Sequence, residues 1–227
     1  MKTLAITSGA TFVGAWIVGL ILANGGPSPS DSAAQVAAYY DSHELRSMVA
    51  TLLIDGLAGL AIFALAYCLW RYLTDDSTMH RAVLLAGIGA GLASLVQMVV
   101  GELMSYRGAH GRSAEDVQTL FKVLNNGDTV KIALLATMIA AASALARRSG
   151  AFPRWLAIAG VIFAPLLAIS GLAFPFNSDA LYASLAVTLI GLLAWVVSVA
   201  VVMARRGSSA KPTGSATLPS TTGAWRA

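Results

Sequence analysis

One stretch restricts this chain more than any other. Ser47–Leu73, SMVATLLIDGLAGLAIFALAYCLWRYL, is apolar for longer than a bilayer crossing requires and carries a carboxylate inside it. A spanning helix needs about 20 mostly apolar residues at a rise of about 1.5 Å each. Asp55 lies about eight residues in, hence about 12 Å below the start of the span. On insertion scales a charge at the centre of such a helix costs about 2.5–3.5 kcal/mol, so Asp55 is expected to face other helices and meet a partner there.

The rest of the chain has matching composition. Of 227 residues, 57% are hydrophobic and 11% charged, where a soluble domain carries about 25% charged residues. The formal net charge is +4. The basic residues sit at the ends of apolar runs and in the tail, which is the pattern of membrane orientation and not of a nucleic-acid surface. Cys68 is the single cysteine, so neither an internal disulfide nor a cysteine metal cluster is available, and it reads as a small packing residue.

Six apolar spans are expected, at about residues 4–23, 47–73, 81–106, 127–146, 153–174 and 180–204. The first is long for the apolar part of a signal peptide and is read as a retained helix. Between spans one and two, a helix is expected from about Ser32 to Arg46, with Ser32 and Gln35 at capping-box spacing. Between spans three and four, Val117, Leu120, Phe121 and Leu124 form the apolar face of a second amphipathic helix, with Ser113 and Asp116 as caps. Asn125-Asn126-Gly127-Asp128 then reads as a turn and a cap for span four. Pro165 falls mid-span and is expected to kink the fifth helix, with Ser170 placed to satisfy a freed carbonyl. Residues 207–227, rich in Ser, Thr, Gly, Pro and Ala, are expected to be a disordered tail.

Orientation follows from the basic residues. With the N-terminus inside, Lys2, Arg71, Arg81, Arg147, Arg148, Arg154, Arg205, Arg206, Lys211 and Arg226 are cytoplasmic. Only Arg46, Arg107, Arg112, Lys122 and Lys131 are outer. Both termini are therefore expected in the cytoplasm, with the chain in the cell (inner) membrane. Trp70, Tyr72 and Trp155 fall at the inner interface, and Tyr39, Tyr40, Tyr106 and Tyr182 near the outer one.

Four polar residues share the outer half of the spans: Asp55, Gln97, Glu102 and Lys131. Thr51, Asp55 and Gly59 lie on one face of the second span by i, i+4 spacing. On the third, Gly87, Gly91, Ser94, Gln97, Gly101 and Glu102 fit an arc of roughly 140°. Gly87 and Gly91 form a Gly-x-x-x-Gly pair that lets helix backbones approach closely. Lys131 is the basic group deep enough to pair with Asp55 or Glu102. These four residues are the candidate ligand-binding group, either as a hydrated pocket for a polar or cationic ligand or a proton, or as a dry ion pair that fixes helix register.

No catalytic residue or cofactor is assigned. His43, His80 and His110 all fall outside the spans, which leaves an embedded haem without ligands, and no spacing supports a metal site. Gly-x-Ser-x-Gly, a phosphate loop and His-Glu-x-x-His are all missing from the sequence.

The chain resembles a broad family of six-helix bacterial integral membrane proteins known only as a domain of unknown function. The likeness rests first on an apolar first helix followed by a polar helical outer loop. Next comes Glu44-Leu45-Arg46 leading into a span with an aspartate. It then lies in Leu120-Phe121-x-x-Leu124-Asn125-Asn126 and in Arg148-Ser149-Gly150-Ala151-Phe152-Pro153-Arg154-Trp155-Leu156. The resemblance implies a bacterial, multi-pass, all-α protein and supplies no activity or site residues. The expected fold is therefore one all-α domain of six transmembrane helices with two amphipathic outer-loop helices. Its expected partners are the lipid bilayer and a membrane protein or a second copy of itself. An accessory or small-ligand-binding role leads over a small transporter or proton-coupled carrier, because six helices without clear inverted repeats are few for a carrier. A membrane enzyme would need more convergent polar groups than the spans offer.

Overall fold

The computed structural model describes residues 1–206, apart from 76, 112 and 177. The expected tail at 207–227 and the outer Arg112 lie outside the described residues. The chain is all-α. It forms α1 (Lys2–Ala23), α2 (Ala33–Ser42), α3 (Glu44–Tyr72), α4 (Thr78–Ala109), α5 (Ala114–Ser149), α6 (Arg154–Ser170, followed by the single turn Ala173–Phe176) and α7 (Asp179–Arg206). Six of these, all but α2, are long and apolar enough to cross a membrane.

Local chemistry sets the ends. Ser32 and Gln35 close the capping box of α2 in both directions. The Arg46 guanidinium donates to the carbonyls of Leu22 and Asn24, the latter at 2.6 Å, so the orphan end of α1 is satisfied by the start of α3. Gly150, at φ 69°, stops α5 in a left-handed conformation just after Arg147 and Arg148, whose charges suit that end of a helix.

The long helices close into a ring in which α1 packs on α3, α3 on α4, α4 on α5, α5 on α6, α6 on α7, and α7 back on α1. The shared core runs through Phe12, Leu65, Leu69, Ile139, Leu145, Leu167 and Val199. The outward faces stay apolar, with Ile21, Leu85, Val96, Val187 and Ile190 among the exposed side chains. Helices α4 and α5, with 32 and 36 residues, are about 48 and 54 Å long, more than the ~30 Å of a hydrocarbon core. Their excess forms a hairpin beyond the ring, and α2 lies on it through a second cluster of Val36, Tyr40, Met104, Val117 and Phe121.

Five expectations are corrected. The helix after span one ends at Ser42, where His43 (φ −131°, ψ 29°) breaks it, and Glu44 already belongs to α3. The amphipathic helix expected before span four is not separate, because residues 114–149 form one helix. Asn125-Asn126-Gly127-Asp128 is accordingly helical. Asn125 Nδ2 donates to Phe121 O, and a Cβ on Gly127 would lie 3.2 Å from the Gln97 side chain, so glycine here makes room for a neighbouring helix. Ser113 does not cap α5 with its side chain but donates to Glu115, and Ser170 bonds Leu167 O and Thr188.

Helices α3 and α4 meet through glycine. A Cβ on Gly91 would lie 2.8 Å from the Phe63 ring, and one on Gly87 would run into Ala66 Cβ. Gly14, by contrast, has nothing within 4 Å. Gly87→Ala is therefore expected to destabilise the protein by about 1–3 kcal/mol through overpacking, while Gly14→Ala does not. Thermal unfolding of both variants in nanodiscs checks this, and equal midpoints would contradict the packing assignment.

Candidate functional site

The site is built around one lysine. Lys131 projects from the middle of α5 into the ring and is 1% exposed. Its ammonium donates to Asp55 Oδ1 on α3 at 2.6 Å and sits 2.7 Å from Asp128 Oδ1, one turn earlier on α5. The Trp16 ring of α1 lies 5.7 Å away, within cation–π range. Asp128 is held in turn by Gln97 of α4, whose Nε2 donates to Asp128 Oδ1 at 3.0 Å and to Leu124 O at 2.9 Å.

A local irregularity aims Asp55 at this point. Residues Leu52–Leu57 form a π turn inside α3, in which Ala58 N–H reaches back to Leu53 O. A π turn takes an extra residue, so side chains after it are rotated by about 100° from their place in a regular helix. The expected common face of Thr51, Asp55 and Gly59 is thereby divided. Thr51 abuts Gly101 and Gly59 abuts Ser94, both on α4, while Asp55 crosses to α5. Gly56 gives the widened turn room, since a Cβ there would lie 2.6 Å from Met98 Sδ.

The structure thus brings Asp55, Gln97 and Lys131 into one network and leaves Glu102 outside it. Glu102 is partly exposed and makes no ion pair among the described residues. The residue that sequence reasoning did not place in the group is Asp128. Its signal was available, because an acidic residue three positions before a buried lysine shares its helix face.

The charged group is not sealed in protein. Asp55, Asp128 and Lys131 line a cavity of about 530 Å³ at the α2 end of the ring, a size typical of small-molecule sites. Trp16, Tyr39, Tyr40, Phe121, Phe174 and Tyr182 give it aromatic walls. Ser47 and Tyr182 also line it, and their buried hydroxyls have no hydrogen-bond partner among the described residues. Burial, with Tyr39 beside it, pushes the Tyr40 hydroxyl well above its ordinary range, so this phenol stays neutral and brings no charge to the cavity. Among the described residues Asp55, Asp128 and Lys131 are the charged side chains of the lining, with carboxylates in excess by one. Among the described residues no group of His, Cys, Asp and Glu is arranged to hold a metal ion.

Comparison of the chain with family models, curated proteins and solved structures found no match. The site is therefore read from its own chemistry.

The two carboxylates are not equivalent to the lysine in what their loss leaves behind. Lys131→Met strands the buried Asp55 beside the partly exposed Asp128, and the expected destabilisation is about 3–5 kcal/mol. Asp55→Asn leaves the ammonium paired with Asp128 and is expected to cost clearly less. Unfolding of the two variants in nanodiscs measures the difference. A Lys131→Met protein as stable as Asp55→Asn would contradict the network as drawn.

Proposed function

We propose that this is a multi-pass protein of a bacterial inner membrane, with both termini cytoplasmic, that acts as an accessory or small-ligand-binding protein through a polar site in the outer leaflet. Six long apolar helices support the membrane assignment. The excess of basic residues at the ends of α3 through α7 away from α2 supports the orientation. On that reading α2 and the projecting α4–α5 hairpin stand at the outer surface, and the cavity lies just beneath them.

One observation carries the binding role: Asp55, Asp128 and Lys131, while paired with one another, also line an open cavity. A register-fixing ion pair has no use for such a space. The ligand class follows from the charge. With two carboxylates against one ammonium, and with neutral hydroxyls and aromatic rings around them, the lining favours a small cationic group over an anion.

Native mass spectrometry of protein released from nanodiscs tests this. The wild type is expected to carry an adduct distinct from the nanodisc lipid, lost in Asp55→Asn and in Asp128→Asn and kept in Glu102→Gln, since Glu102 stands outside the network. Wild-type protein bare of any such adduct, or an adduct indifferent to both aspartates, would count against a binding role.

A further inference from the structure

Where the cavity opens is as informative as what lines it. Helices α1 and α7 pack tightly at the end remote from α2, where a Cβ on Gly9 would lie 2.7 Å from Ala200 Cβ. Towards the α2 end the cavity lies between them. Trp16, Leu20 and Ala23 line it from α1, and residues from Tyr182 to Leu193 line it from α7. The pair is thus shaped like a V, closed at Gly9 and open above Trp16.

The rim of that V faces outward from the ring. Leu20 and Ile190 both line the cavity and are 42% and 70% exposed. Ile17, Ile21 and Val187, exposed beside them, continue the same apolar surface. Within α1 the sole charged residue is Lys2, at the far end, and between Ala180 and Ala204 α7 has none. In a bilayer this mouth therefore meets hydrocarbon and not water. Along α7 the lining runs from Tyr182 to Leu193, about 16 Å at 1.5 Å per residue, or about half of a ~30 Å hydrocarbon core.

The geometry points to an amphiphile as the ligand: a molecule with a cationic ammonium head and a single hydrocarbon chain, taken up sideways from the bilayer between α1 and α7. The head sits by Asp55 and Asp128, in the part of the cavity that Ser47 and Tyr182 also line. The chain runs along Leu20, Leu189 and Ile190 to the lateral mouth. This rests on the binding role proposed above and adds the substrate class and the route. A wholly water-soluble cation would leave the apolar length of the cavity unused. An alkyl carboxylate would place a third negative charge beside the two aspartates.

Thermal stabilisation in phosphatidylcholine nanodiscs separates these cases, with each probe expressed as its mole fraction in the bilayer. Dodecylammonium is expected to stabilise the wild type at a concentration at least tenfold lower than propylammonium requires, and dodecanoate is expected to have no effect. Ala186 lines the cavity and is exposed at its mouth, so Ala186→Trp is expected to fold normally and to weaken the dodecylammonium effect at least tenfold. Equal responses to the two amines, untouched by Ala186→Trp, would overturn the lateral route and the amphiphilic ligand while leaving a cation site in place. No response to either amine would overturn both readings. A response to dodecanoate equal to that of dodecylammonium would mean chain partitioning only and would likewise overturn the inference.

Discussion

A lysine ammonium at the centre of a ring of apolar helices cannot be left alone, and most of what is irregular in this structure answers that constraint. Lys131 is almost wholly buried, and removing an ammonium from water carries a penalty of several kcal/mol that only close partners offset. Two carboxylates, one from its own helix and one from across the ring, supply them. Each needs its own support. Asp55 reaches the lysine because α3 widens into a π turn at that level, and Gly56 lets the widened turn lie against Met98. Asp128 is steadied by Gln97, which fits because Gly127 beneath it lacks a side chain.

Such a group is a poor way to hold helices together. Buried ion pairs contribute little net stability compared with well-packed apolar residues of similar volume, and the ring already has a dense core around Leu65, Leu69, Ile139 and Val199. The charges are concentrated where the core gives way to a cavity, under the cover of α2 and between the diverging ends of α1 and α7. A polar head region and an apolar lateral mouth are thus parts of one space, each made by residues that packing alone does not require.

Much of this was legible in the sequence, and the failures have specific causes. Apolar length and the basic residues at span ends located five of the six long helices to within a few residues, because hydrocarbon thickness allows few alternatives; the fourth starts 13 residues earlier than expected, at Ala114. That Lys131 meets a carboxylate followed from its depth, since a charge among apolar helices has little else to meet, but depth left Asp55 and Glu102 both open, and the structure takes Asp55. Asp128 was lost because Asn-Asn-Gly-Asp is a strong turn pattern. Gln97, 30 residues away in the chain, makes that glycine a contact and keeps the segment helical. Glu102 was grouped by depth and helical arc, and an arc of about 140° is wide enough to include a residue that turns away from the interior. The π turn has no sequence signature beyond a glycine after a buried aspartate, and it alone decides that Asp55 leaves the face it would share with Thr51 and Gly59.

The ammonium of Lys131 holds the network together, and solid-state nitrogen NMR of lysine-labelled protein in bilayers observes it directly. Lys2, Lys122 and Lys211 are the other lysines, so the Lys131 signal is assigned by difference. With aspartate carboxyl carbons also labelled, the Lys131 ammonium is expected to be shielded from water exchange and strongly dephased by nearby carboxylates. In Asp55→Asn a weaker dephasing from Asp128 is expected to remain. A Lys131 ammonium that exchanges freely with water and senses no carboxylate would contradict the central network and the site built upon it.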